Sequence, residues 1–363
     1  MLNKVGSDSV RPAVAIIVLN WNNWKDTIEC LESLLRIDYP NYQILTVDNG
    51  STDGSVEKIK AWAEGAQEVE VDPQSRLYYL SHPPVRKPVR YIECSTTMPE
   101  VGALPGKESF LYERSSVGVD HSMIIIQTGC NLGFAGGNNV GMKYALAKDD
   151  FEYIWLLNND TVVDKRALTE MVKLGESAKE AGILGSKLLY YDDPGTIQAL
   201  GGAKVNKWMG TLRQIGWLET DDGQREKIEE PDSITGASML IRKEVISSIG
   251  PMDERYFLYC EETDWCLRAK EDGWRLMYCP QSTVWHKEGG TAGRKSKTAE
   301  YYSARNTLIL WKKFFPKYLP MAFIMQFVGK IINRVKRRQV AHVLWIAKGY
   351  MDFLRGKSGK TEV

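Results

Sequence analysis

The stretch Tyr153-Ile154-Trp155-Leu156-Leu157-Asn158-Asn159-Asp160 constrains the fold most. An unbroken apolar run of this length needs cover on every side, as in a strand buried on both faces of a parallel sheet. It stops abruptly at two amides and a carboxylate, which fall at the strand's carboxyl end, where open α/β sheets bind ligands. Asp160 can supply a hard oxygen ligand for Mg²⁺ or Mn²⁺. Asn158 and Asn159 offer carbonyl oxygens or amide donors, so the position suits a metal-bridged diphosphate. Capping of a following helix at Asp164-Lys165-Arg166 is the plainer role open to the same residues.

The chain before this stretch has the same grammar. Val14 to Leu19 reads as a buried strand ending in Asn20-Trp21-Asn22-Asn23. Ile28, Leu31, Leu34 and Leu35 recur at helical spacing, and Tyr42 to Val47 is a second strand running into Asp48-Asn49-Gly50-Ser51-Thr52-Asp53-Gly54-Ser55. Strand, helix, strand, helix at this spacing predicts a right-handed βαβ unit with a mostly parallel sheet flanked by helices. Asp48 occupies the strand tip where nucleotide-binding α/β folds place an acid against a ribose or base. A turn whose Asp and Asn bond their own backbone explains the loop equally well. Residues 1–13 read as a flexible terminus. Residues 66–123 hold six of the fourteen prolines and read as an insertion with one short strand near Val89 to Ile92.

Beyond a strand at Met123 to Ile126, Asn131-Leu132-Gly133-Phe134-Ala135-Gly136-Gly137-Asn138-Asn139 opens a helix. Glycines so dense at a helix start let backbone approach a ligand and leave amides pointing at an anion. The pattern is neither a Walker loop nor a dinucleotide fingerprint. After the 153–160 stretch a helix is expected from Lys165 to about Lys179 and a strand from Ile183 to Tyr190. Asp192 to Pro231 suggests hairpins. Ser233 to Arg242 reads as a strand entered through a loop, with a short helix following to Ile249.

A second chemical cluster is Tyr259-Cys260-Glu261-Glu262-Thr263-Asp264-Trp265-Cys266-Leu267-Arg268. Helical geometry puts Glu261 beside Trp265, Asp264 beside Arg268, and Glu262 next to Cys266 on another face. Three acids in a first turn also complement a helix dipole. His286 follows a strand and precedes Lys287-Glu288-Gly289-Gly290, a loop free to close on a ligand. From Glu300 onward helix signals dominate. Phe323, Ile324, Phe327, Ile331 and Ile332 alternate with Lys330, Arg334, Lys336, Arg337 and Arg338, which fits helices on an anionic membrane surface. Packing on the main domain or in a homo-oligomer explains that pattern nearly as well.

Formal net charge is +1, so the whole-chain balance favours no polyanionic partner and no nucleic acid. Six cysteines without a Cys-x-x-Cys pair argue against a zinc ribbon or disulfide framework and for reduced cytosolic thiols. The amino terminus shows no apolar leader, and no window reaches the roughly eighteen apolar residues of a spanning helix. A cytoplasmic protein, peripheral at most on the inner face of the membrane, is expected.

Taken in order, Ile17 to Asn22, Val47 to Ser55, Asn131 to Asn139, Leu156 to Thr161, Gly236 to Arg242, Asp253 to Arg268 and His286 resemble the family 2 glycosyltransferases of the GT-A fold. The pattern is close to that of the bacterial and archaeal rhamnosyltransferase-like members. The resemblance covers about residues 13 to 310 except the insertion. It implies a GT-A domain over 14–300 and a C-terminal helical region over 301–363. It implies inverting, non-processive transfer of a sugar, rhamnose being one candidate, from a nucleotide-diphosphate donor to a glycan or lipid-linked acceptor hydroxyl in cell-surface glycan synthesis. Asp48 would hold the base or ribose, with Asn20 and Asp53 shaping that pocket and Asn131, Gly133, Gly136, Asn138 and Asn159 lining the donor site. Asp160 would bind the metal with His286 near it, and Glu262 would be the general base. Asn158 stands where the family's Asp-x-Asp motif has its first aspartate, and Glu262 is one methylene longer than the usual aspartate. Glu261 and Asp264 therefore stay open as bases. A sugar-nucleotide binding protein without activity and a nucleotidyltransferase are the competing readings.

Overall fold

A computed structural model describes residues 11–96, 110–115, 123–223, 230–288 and 296–362. The expected frayed terminus lies almost wholly outside the described residues, as do Gly289-Gly290 and much of the proline-rich segment. In chain order the elements are β1 (Val14–Asn20), α1 (Trp24–Leu34), β2 (Tyr42–Asp48), α2 (Ser55–Glu64), β3 (Tyr91–Thr96), β4 (Phe110–Ser115), β5 (Met123–Gln127), α3 (Gly133–Lys148), β6 (Tyr153–Asn158), β7 (Thr161–Val163), α4 (Ala167–Ser177) and β8 (Ala181–Tyr190). They continue as β9 (Ile197–Leu200), β10 (Gly202–Asn206), β11 (Thr211–Gln214), β12 (Ser233–Ile234), β13 (Ser238–Arg242), α5 (Lys243–Ile249), α6 (Glu261–Glu271), β14 (Arg275–His286), α7 (Lys297–Phe314), α8 (Leu319–Lys336) and α9 (Val340–Leu354).

The main sheet runs β4-β3-β5-β2-β1-β6-β13-β8-β14-β7, with β9 paired to β8. From β3 to β6 every neighbour is parallel, and β13 then lies antiparallel between β6 and β8. Side chains alternate across the sheet, so Tyr153, Trp155 and Leu157 enter the core under α1, α2 and α4, while Ile154 and Leu156 enter the one under α3, α5 and α6. Burial on both faces is why β6 shows no polar alternation. The register pairs Asn20 with Asp48 and Leu19 with Asn158, bringing three polar strand ends to one edge.

The segment read as an insertion supplies two strands of the main sheet, β3 and β4. Its proline-rich approach is held by Glu32, a fully buried carboxylate that accepts hydrogen bonds from Val85 N–H (2.7 Å), Trp62 Nε1 (2.8 Å) and Lys87 Nζ (3.3 Å). Order here comes from distant partners, which hydrophobic periodicity does not register.

The three C-terminal helices fold together. Tyr301 of α7 donates to Asp352 of α9 at 2.9 Å, and the Tyr350 ring packs against Phe323 and Phe327 of α8. Two of the basic residues expected at a surface turn inward instead: Lys330 donates to Ser303 Oγ at 3.0 Å, and Arg334 pairs with Glu300. No helix among the described residues is long and apolar enough to cross a membrane.

Candidate active site

At the polar edge, a continuous set of hydrogen bonds links β1, β2 and the end of β6. The Asn20 amide donates to Asp48 Oδ2 at 2.8 Å, and Ser51 N–H donates to Asp48 Oδ1 at 3.0 Å. Thr27 Oγ1 donates to Asn20 Oδ1 at 2.8 Å, and the Asn159 amide donates to Thr27 Oγ1 at 2.9 Å. Asp48 and Asn20 are buried yet charge-dense, a combination that persists only when every polar atom has a partner or a ligand. Asp53, expected in the same pocket, lies exposed at the start of α2, where its carboxylate takes Ser55 N–H (3.0 Å) and Ser55 Oγ–H (2.5 Å). Its carboxylate is thus engaged locally, by the residue two positions on.

The glycine-rich helix start differs from the sequence reading in what its glycines serve. A Cβ at Gly133, whose φ is +76°, would lie 2.2 Å from the Phe257 carbonyl oxygen, and one at Gly136 would lie 2.7 Å from Leu132 Cβ. The amides are likewise taken by protein acceptors: Gly133 N–H by Asn131 Oδ1 (2.8 Å), Phe134 N–H by Phe257 O (2.7 Å), Leu132 N–H by Asn49 Oδ1 (3.0 Å). Asn138 donates to Phe134 O one turn back, at 2.9 Å. These glycines permit close packing within the protein, and the amides face loop carbonyls and side-chain oxygens.

Asp160 and His286, both nearly buried, meet with Oδ1 and Nε2 at 3.1 Å. His286 Nδ1 lies 2.8 Å from Gln198 Oε1, and Gln198 Nε2 donates to Glu288 at 2.7 Å. Since that Gln oxygen only accepts, Nδ1 carries a proton, and the ring presents Nε2 to the Asp160 carboxylate. A carboxylate oxygen and an imidazole nitrogen this close can act as two ligands of one cation. Ligands at about 2.0–2.1 Å from one small cation and roughly at right angles stand about 3 Å apart, so the pair fits Mg²⁺ or Mn²⁺. Among the described residues no group of three or more such side chains converges. A bound ion would thus complete its shell with substrate oxygens and water, as Mg²⁺ commonly does. Asn158, in place of an acid, directs its amide nitrogen at His286 Nε2 (3.3 Å).

Three further charges flank this pair. Lys287 Nζ lies 2.5 Å from Asp26 and 2.6 Å from Glu29. Burial works against its charge, but the two carboxylates outweigh that and raise its pKa. A cleft of about 500 Å³ beside it is lined by Glu29, Tyr191 and Lys287 among others and shares no residue with the Asp48, Asp160 and Glu262 positions.

The three acids of α6 separate by environment. Asp264 is fully buried between Arg268 Nε (2.8 Å), Tyr256 Oη (3.0 Å) and Lys313 Nζ (2.6 Å), the pattern of a structural ion pair rather than of a base. Glu261 is buried with Oε2 unpartnered in the described structure, and burial together with the charge of Glu262 raises its pKa well above the usual range. Glu262 is less covered; burial raises it too, against the pull of backbone N–H groups. Its Cβ lies 3.7 Å from where a Cβ on Gly236 would stand, and the Phe134 ring comes within 3.3 Å of that same point.

Sequence reasoning passed over Asn49, Thr27, Gln198 and Asn306, which hold these groups in place. Only Asn306 left a signal, as a polar Arg305-Asn306 pair just before the apolar run Leu308-Ile309-Leu310-Trp311. Gln198 lies in a stretch with no periodicity at all.

A mostly parallel sheet covered on both faces by helices, with polar strand ends gathered at one edge, has the GT-A architecture. The family described as glycosyltransferase like family 2 matches residues 117–306, and that described as glycosyl transferase family 2 matches residues 15–80. The chain belongs to the family 2 glycosyltransferases. It is 24% identical over 248 residues to the low-salt glycan biosynthesis hexosyltransferase Agl10 of Haloferax volcanii, a match covering 65% of this chain and 77% of that protein. It is 25% identical over 205 residues to the dTDP-rhamnosyl transferase RfbF of Shigella flexneri, covering 52% of this chain and 63% of that one. The solved mannosyltransferase PcManGT of Pyrobaculum calidifontis, in complex with GDP-Man and Mn²⁺, shares the fold at a TM-score of 0.51 and 12% identity, over 96% of this chain and 89% of that one.

Proposed function

We propose that the protein transfers a sugar, with inversion, from a nucleotide-diphosphate donor to a hydroxyl of a glycan or lipid-linked acceptor, one residue at a time. The observation that carries this reading is the hydrogen-bonded run Asp48–Asn20–Thr27–Asn159, which ends at the residue preceding Asp160. It spaces a nucleoside-binding acid and a cation-binding acid along one sheet edge, the order in which a nucleotide diphosphate presents its ribose and phosphates.

Asp48 receives the base or ribose, steadied by Asn20 and Ser51. Asp160 and His286 hold a divalent cation, and such an ion when bound neutralises charge growing on the departing diphosphate. Glu262 takes the proton from the acceptor hydroxyl as the new oxygen–carbon bond forms, and the electrons of the broken anomeric bond leave on the diphosphate. One carboxylate on the face opposite the leaving group suffices for inversion. Burial raises the pKa of Glu262, which makes it a stronger proton acceptor, and burial together with the charge of Glu262 raises that of Glu261. The relatives' names, a dTDP-rhamnosyl transferase and a glycan-biosynthesis hexosyltransferase, favour a deoxyhexose or hexose donor in glycan synthesis.

Thermal-shift screening of UDP-, dTDP- and GDP-sugars with and without Mn²⁺, followed by product analysis on a lipid-linked acceptor, tests this reading. A metal-dependent shift with one nucleotide class and an inverted product is expected. Stabilisation by no nucleotide sugar refutes it; tight binding without turnover favours a sugar-nucleotide binding protein.

A further inference from the structure

Charge divides unevenly along the chain. Residues 311–363 hold twelve Lys and Arg against two Asp and Glu, although the whole sequence holds 47 against 46. The same region leaves its apolar side chains facing water. On α8, Ala322, Gln326, Lys330 and Arg334 recur every fourth residue and form the inner face. Gln326 donates to the Gly210 carbonyl, against which Ala322 also packs, and Lys330 and Arg334 reach Ser303 and Glu300 of α7. The opposite face carries Met321, Ile324, Val328, Ile332 and Val335, all exposed, Ile324 to 57%. Because the inner face is anchored at four levels, this stripe is a formed surface and not a consequence of a loosely packed helix.

The next helix repeats the arrangement. Tyr350 and Asp352 of α9 bond or pack onto α7 and α8, and Gly349 lets α9 approach so closely that a Cβ there would lie 2.7 Å from the Tyr301 carbonyl. Val340, Leu344, Met351 and Leu354 point outward, Leu344 to 73%. Between the two helices, Lys336, Arg337 and Arg338 are exposed at the tip of the hairpin and make no ion pair with an acid among the described residues.

We propose that the α8–α9 hairpin is a docking surface for an anionic lipid bilayer, lying on it with the α8 stripe immersed at the headgroup boundary and the Lys336-Arg337-Arg338 tip on the lipid phosphates. Charge complementarity selects this occupant. A second copy of the hairpin carries the same positive tip and brings it no counter-charge, whereas anionic lipid neutralises it. Apolar side chains on one face with Lys and Arg beside them is the arrangement that partitions to an interface in plane and does not span it. This inference does not depend on the donor chemistry proposed above.

Sedimentation of the full chain with phosphatidylcholine vesicles, with and without phosphatidylglycerol, tests it. Wild type is expected to pellet with the anionic vesicles and to be released by high salt. Each charge near the surface is worth about fivefold in partitioning, so the combined substitution Lys336→Glu, Arg337→Glu, Arg338→Glu lowers binding by roughly a hundredfold or more. Ile324→Ser with Val328→Ser and Ile332→Ser lowers it at least as far while leaving the melting temperature and nucleotide-sugar shifts intact, since these side chains lie on the exposed face of α8. Pelleting of both variants like wild type overturns the proposal. So does a wild-type dimer in light scattering that the Ser variant converts to monomer with no vesicle binding, which assigns the stripe to a second copy.

Discussion

The side-chain amide nitrogen of Asn306 lies 2.6 Å from the carbonyl oxygen of Tyr256 and is shared with the carbonyls of Leu258 (2.7 Å) and Tyr259 (3.1 Å). Arg305 Nε donates to Asn306 Oδ1 at 2.9 Å, which sets the amide's orientation. The loop so held is strained: Phe257, Tyr259 and Cys260 all have φ between 62° and 75°, each costing about 1–2 kcal/mol for a residue with a side chain. Phe257 also accepts Phe134 N–H at the start of α3. One amide thus fixes the loop that leads into Glu261 and Glu262.

Asn306→Ala is therefore expected to relax that loop. Transfer should fall by roughly tenfold or more through misplacement of Glu262, and stability by about 1–3 kcal/mol for each carbonyl left buried and unpaired. Nucleotide-sugar binding at Asp48 should survive. Turnover and donor thermal shifts, measured side by side, check this; unchanged turnover in a folded variant removes the loop from the reaction.

Glu262 and Asp264 should respond oppositely to loss of charge. Glu262→Gln keeps fold and donor affinity and loses roughly 10²–10⁴ in rate. Asp264→Asn leaves Arg268 and Lys313 without their buried partner, and breaking such a pair costs about 3–5 kcal/mol. Denaturation curves and single-turnover rates separate the two effects. Full activity in Glu262→Gln would pass the base to Glu261.

Glu261 makes stability pH-dependent in a direction unusual for a carboxylate. Its folded pKa is raised by burial and by Glu262, so the protonated form is the one the fold favours. Its contribution is fully present below the ordinary value of 4.5 and is lost as pH rises through the raised folded value. Glu261→Gln should melt higher than wild type at neutral pH, with the gap closing toward pH 4.5. Melting temperatures of both proteins across that range test the sign.

Metal dependence should follow the Asp160–His286 pair and its support. Chelation, or Asp160→Asn, is expected to abolish the Mn²⁺-dependent part of the nucleotide-sugar shift. Gln198→Ala, which frees the His286 ring to rotate and change tautomer, should weaken apparent Mn²⁺ affinity by roughly 10–100-fold. Titration of Mn²⁺ at fixed donor reads this directly. An Asp160→Asn protein with a wild-type Mn²⁺ response would place the ion elsewhere.

Strands and helices with strong periodicity were legible before any coordinates. So was the polar edge, because Asn20, Asp48 and Asn158 each end an apolar run, and side-chain alternation leaves such runs few alternatives in a covered sheet. Less legible were segments ordered by single polar contacts. The proline-rich stretch enters the sheet because Glu32 binds it, and Glu32 itself reads as an ordinary helix-surface acid. Lys330 and Arg334 look like surface charges, yet helical phase alone does not show that α7 brings Ser303 and Glu300 against that face.

The sequence by itself determined which residue types sit at strand ends and helix starts, since period and chain direction are local properties. It therefore determined the architecture and the candidate set of Asp48, Asp160, His286 and the α6 acids. Only the tertiary structure shows what surrounds each of them. It turned Asp53 to the exposed start of α2, locked Asp264 between two cations and Tyr256, and gave the Leu132, Gly133 and Phe134 amides protein acceptors. It also set Asp160 against a His286 whose Nδ1 is held by Gln198, 88 residues away in the chain. The physical reason is that a carboxylate's chemistry depends on what desolvates it and which charges face it, and those neighbours come from elements far apart in the sequence.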